Sequence, residues 1–147
     1  IIGAERFDYS FKKYINDWAF KHPTPWDFFR SINNSTGEDL TWFWKGMFIE
    51  NYKLDQAITG MDYINNDPSK GANITIVNLE KAAMPMAIEV TTASGKKEVF
   101  KFPVEVWEYN NEYVFKTKTT EPIQSIVIDP DKVYPDINRA NNNWKQQ

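Results

Sequence analysis

The stretch MAIEVTTASGKKEVFKFPVEV, Met86–Val106, decides the fold class. Met86, Ile88 and Val90 alternate with Ala87, Glu89 and Thr91, a period of two that sets apolar side chains on one face of a strand. Ala93-Ser94-Gly95-Lys96 interrupts with turn-forming residues, and Phe100, Phe102, Val104 and Val106 then resume the alternation. Two alternating runs around a short turn predict an antiparallel hairpin. Outward from it, Leu54–Ile64, Ile74–Leu79, Glu112–Lys118 and Ile123–Asp129 read as further strands. Asn65-Asn66-Asp67-Pro68 and Asn110-Asn111 divide them. Short strands with no helices between them predict an antiparallel sandwich. The Asn-rich stretch Asn141–Gln147 reads as a polar tail.

Upstream of Leu54 the period changes to that of a helix. Phe7, Phe11, Ile15 and Trp18 fall on one helical face, with Lys12, Lys13, Asn16 and Asp17 opposite. Pro23 is expected to stop this helix. In KHPTPWDFF, Lys21–Phe29, the residues Thr24, Pro25 and Asp27 suit the N-cap, first and third positions of a second helix. The Thr24 hydroxyl is expected to accept from the third N–H while Asp27 reaches back. Phe28, Phe29 and Ile32 supply the apolar face. Thr36-Gly37-Glu38-Asp39 predicts another N-cap, followed by Leu40, Phe43, Trp44, Met47 and Phe48 at helical spacing. Trp42 lies off that stripe, so this third helix needs neighbours on several sides.

The sole histidine, His22, sits beside Asp27 and just outside the cap. A hydrolase built on that pair is one reading; a solvated imidazole at a helix start is the preferred one. One histidine cannot furnish an HExxH zinc site, and there is no Gly-x-Ser-x-Gly elbow or phosphate-binding glycine loop. The 147 residues contain no cysteine, which excludes disulfides and thiolate ligands. Formal charge is −3 with both signs interspersed, so no stripe for nucleic acid is present. No apolar run reaches the length of a membrane span, and no signal peptide is visible. The chain opens Ile-Ile-Gly-Ala without an initiator Met and is expected to be a processed form or a piece.

Aromatic side chains make up 16% of the chain, enough to ask whether they form a sugar-stacking platform. Trp26, Trp42, Trp44, Trp107 and Trp144 are the candidate rings; the first three lie among apolar residues and are expected to pack, and Trp107 is the best remaining platform candidate. Asp129-Pro-Asp131, Asp136 and Asn138 invite comparison with a calcium loop. Against EF-hand spacing, Val133 stands at position five, Tyr134 where glycine is needed, and Ala140 at the last ligand, so Asx-turns are expected instead. Asn33, Asn34 and Asn73 open glycosylation triplets of a kind common by chance.

The run FDYSFKKYINDWAFKHPTPWDFF, Phe7–Phe29, resembles the end of the catalytic domain in M1-family zinc aminopeptidases. INNSTGEDLTWFWKGMF, Ile32–Phe48, looks like that family's "sG-x-dL-x-wFf" helix, and LDQAI, Leu54–Ile58, follows. Similar bacterial members carry a β-sandwich after that helix, often closing near "DPD…D-x-N…NN". Asp129-Pro-Asp131, Asp136, Asn138 and Asn141-Asn142 match this ending. The resemblance implies an exported, thermolysin-like parent that hydrolyses N-terminal residues of peptides. In that family the HExxH…E zinc site, the Gly-x-Met-Glu-Asn motif and the transition-state tyrosine lie upstream; none is present here. No catalytic, metal or cofactor residue carries over, and zinc is expected only in the parent.

The expectation is an α+β chain. Residues 1–52 form about three short helices closing a peptidase domain, and 53–147 an antiparallel, immunoglobulin-like β-sandwich in a supporting role. Thr24, Pro25, Asp27, Phe28, Thr36, Asp39, Leu40, Phe43 and Trp44 are its caps and core. The implied partner is the upstream catalytic domain, with self-association when that domain is missing. The competing reading is an independent carbohydrate- or protein-binding β-sandwich module.

Overall fold

A computed structural model describes residues 1–146, which form three helices and two antiparallel sheets totalling seven strands. The chain divides into two compact units, Ile1–Asn51 and Tyr52–Gln147.

In the first unit, α1 runs Ala4–Trp18, α2 Pro25–Thr36 and α3 Thr41–Trp44, the last continuing into one π-helical turn, Lys45–Ile49. The stop expected at Pro23 comes earlier. Ala19 already has ψ 132° and Phe20 takes φ 61°, so the backbone leaves the helix directly after Trp18. Proline at the first position of α2 gives up nothing, because that N–H has no intrahelical partner. Gly37 ends α2 in the left-handed region, at φ 71°, with its N–H donating to Asn33 O at 3.0 Å.

That ending corrects the role read for Thr36. It lies inside the last turn of α2, buried, and its hydroxyl donates to Ile32 O at 2.8 Å instead of capping the next helix. The glycine signal that looked like part of an N-cap is a C-terminal stop. Leu40 is the N-cap of α3, and Asp39, one residue before it, accepts the Thr41 N–H through Oδ1 at 3.0 Å. The continuous helix expected from Leu40 to Phe48 is also broken. A π turn holds more residues than an α turn, so the apolar stripe slips out of phase. Leu40 and Trp44 are buried while Phe48 is 59% exposed.

The helical core is Phe29, Ile32, Leu40 and Trp44, flanked by Ile2, Phe28 and Phe43. Phe29 and Trp44 stack with ring centroids 4.8 Å apart, and Phe28 takes Tyr14 of α1 edge-on at 4.9 Å. The Trp44 indole N–H donates to Asn33 Oδ1 at 2.8 Å, which satisfies its one polar atom.

The second unit contains β1 Gln56–Tyr63, β2 Ala72–Asn78, β3 Met86–Thr92, β4 Lys97–Phe102, β5 Glu112–Lys116, β6 Ile123–Ile128 and β7 Asn143–Lys145. One sheet has the order β1-β2-β5, the other β4-β3-β6-β7. The β3–β4 hairpin pairs Met86 with Phe102 through to Thr91 with Lys97, as the alternation requires. β4 stops short of Val104 and Val106: Pro103 offers no N–H for a ladder, and Val104–Trp107 form a 3-10 turn. The two sheets share one core. Ala72, Ile74, Ile76 and Phe115 come from the first; Met86, Ile88, Val90, Ile123, Ile126 and Ile128 come from the second.

Two features fix the chain path here. Gly71 has φ 88°, and a Cβ on it would overlap the Thr117 carbonyl oxygen. The close approach serves paired bonds: Ala72 N to Thr117 Oγ1 at 3.0 Å and Thr117 N to Ala72 O at 2.8 Å. The second is β7, which replaces part of the expected polar tail. Asn143–Lys145 pair with Val127–Ser125 on the edge of β6, and Trp144 packs against the core.

Candidate functional site

His22 is exposed, and the Asp27 carboxylate is already occupied by other partners. Asp27 Oδ2 accepts the Thr24 N–H at 2.8 Å and the Thr24 hydroxyl at 2.7 Å, while Oδ1 accepts from Arg30. The Thr24 hydroxyl thus donates to the carboxylate, and the Asp27 N–H reaches the Thr24 carbonyl at 3.0 Å. The Thr24 hydrogen bonds, reinforced by Arg30, hold the Asp27 carboxyl below the usual aspartate range. This is the chemistry of a helix cap. Asp39 is lowered likewise by its Thr41 hydrogen bonds.

The acidic C-terminal loop is a clasp. Asp129, 4% exposed and at φ 49°, accepts N–H groups of Val133 and Tyr134, each at 2.9 Å, and Arg139 at 2.7 Å. Burial pushes its carboxyl up, but these hydrogen bonds and the Arg139 charge outweigh that and hold it low. Asp136 accepts the Gln56 N–H at 2.9 Å, the Asn138 N–H at 2.8 Å and the Asn142 amide at 3.2 Å. The Asn141 amide donates to Asp55 Oδ1 at 2.7 Å, and Ile58 N–H donates to Asn141 O at 3.0 Å. Asp136 and Asn141 therefore tie this C-terminal loop to the start of β1, while Asp129 braces the loop itself. The expected Asx-turn forms at Asp136, whose carboxylate accepts the N–H two residues on, whereas Asp129 bonds N–H groups four and five residues on. Sequence reasoning missed Asp55, Gln56 and Ile58, whose contacts span too many residues to leave a local signal. No group of three or more His, Cys, Asp or Glu side chains suited to a metal occurs among the described residues. No helix among them is long and apolar enough to cross a membrane.

Of the tryptophans, Trp107 is tied down by an indole hydrogen bond to Met84 O at 2.9 Å and packs against the sandwich core. Trp44 is buried, whereas Trp26 and Trp42 are exposed.

What the helical unit does present is apolar surface. Among the described residues, ten of the sixteen exposed large hydrophobic side chains fall within the first 51. They include Phe7, Phe11, Ile15, Trp26 and Phe48, with Phe20 fully exposed on its left-handed backbone. Two troughs run through this surface. One, about 510 Å³, is lined by Ile1, Ile2, Gly3, Ala4, Phe7, Phe28, Ile32, Leu40, Phe43, Trp44 and Phe48, without a single charged side chain. The other, about 470 Å³, places Trp26, Phe29, Trp44 and Ile49 among Arg30, Asn33, Thr41, Lys45 and Glu50. Trp44 lines both, and the π turn after it supplies Phe48 to one and Ile49 to the other. Of the core residues named from sequence, Phe28, Leu40, Phe43 and Trp44 meet along the first trough; Thr24, Pro25 and Asp27 belong to the cap.

Comparison with family models, with curated proteins and with solved structures finds no match for this chain.

Proposed function

We propose that this chain is the noncatalytic C-terminal segment of an M1-family zinc aminopeptidase, with its helices packing against the upstream catalytic domain and its sandwich in a supporting role toward that domain. The observation that carries the reading is the uneven surface: large apolar side chains stand exposed mainly on the 51-residue helical unit. Burying one such side chain is worth about 1.5–3 kcal/mol, so a surface of this kind is a liability unless another element covers it. The family name rests on the resemblance of Phe7–Ile58. We read the sandwich as immunoglobulin-like because seven antiparallel strands in sheets of four and three suit that class. Zinc and peptide chemistry belong to the parent in this reading.

The test is reconstitution in trans. The upstream domain, added to the chain, should form a stable complex that light scattering detects, and Phe7→Lys with Phe48→Lys should abolish it. The chain alone should carry no stoichiometric zinc and cleave no aminoacyl chromogenic substrate. Failure to form the complex, or one tightly bound zinc per isolated chain, would overturn the proposal.

A further inference from the structure

We draw no further inference here: the strongest candidate, the apolar trough of the helical unit lined by Ile2, Phe7, Phe28, Phe43 and Phe48, belongs to the surface already described, and nothing in the structure shows what covers it.

Discussion

Asp27 receives three donors, two of them from Thr24, so the two cap residues are not equivalent. Thr24→Ala should cost about 1 kcal/mol, the usual loss for an N-cap, and Asp27→Ala should cost more because it strips the N–H, hydroxyl and Arg30 contacts together. Exposed His22, outside the cap, should tolerate alanine within about 0.5 kcal/mol. Urea melts followed by helical ellipticity rank the three; a larger loss for His22→Ala would assign that imidazole a role that the geometry does not show. The pH dependence follows from the lowered Asp27 carboxyl. Its contribution is fully present above the ordinary aspartate value of about 4, and is lost as pH falls through the depressed folded value. The gap between wild type and Asp27→Asn should accordingly narrow on acidification. Gly71 is a second single-residue test. Alanine there brings both an unfavourable positive φ and a clash with the Thr117 carbonyl, so Gly71→Ala should unfold the sandwich at markedly lower denaturant than wild type. An unchanged midpoint would mean that the Ala72–Thr117 pairing adjusts freely.

The clasp sets the prediction for elements. Asp129→Asn removes a charge-assisted partner from Arg139 and weakens the turn leading toward β7, so it should cost about 1.5–3 kcal/mol. Amide exchange should rise in β7 and at Gln56 before it rises in β3; uniform exchange across the sandwich would contradict a local role. The clasp also marks how far the sequence could be read. The β3–β4 hairpin was legible because β3 alternates in both burial and hydropathy, and Phe100 and Phe102 of β4 alternate with exposed Val99 and Lys101. β7 was not, because Asn143 and Lys145 have little strand preference and the pairing is made by backbone groups. Thr36-Gly37-Glu38-Asp39 carries signals for ending one helix and starting another, and only the left-handed Gly37 separates them. The π turn at Lys45–Ile49 has the same apolar spacing that an α-helix would show.

Across the whole molecule, two kinds of surface coexist. The sandwich gathers ten buried apolar residues from both sheets into one cluster, whereas the helical cluster has only four. A monomer rarely exposes an apolar patch beyond a few hundred Å². The isolated chain should therefore bind ANS and scatter light as more than a monomer at raised concentration. Phe7→Lys with Phe48→Lys should lower both signals without changing the far-ultraviolet spectrum, since these side chains are 42% and 59% exposed. A monomeric wild-type chain that leaves ANS dark would remove the basis for reading this face as an interface. The apolar face was legible in the excess of aromatics around Trp42 and Trp44. The exposure of Phe48 was not, because the π turn shifts it out of phase with Leu40 and Trp44.

The clasp has a consequence for the chain as it is made. Asp136 and Asn141 bond residues 80 and 86 positions earlier, at the very start of β1. At the usual pace of about 5–20 residues per second, β1 waits roughly 4–16 s on the ribosome for these partners. During that interval β6 has one edge open as well, since β7 is synthesised after the clasp. A nascent chain stalled before Asp136 thus displays unpaired strand edges that a chain extending through β7 hides. Synthesis of the segment from Asp136 to Lys145 is written into the hydrogen bonding of the sandwich, and a chaperone or protease that recognises open strand edges distinguishes a chain that stops before this segment from one that contains it.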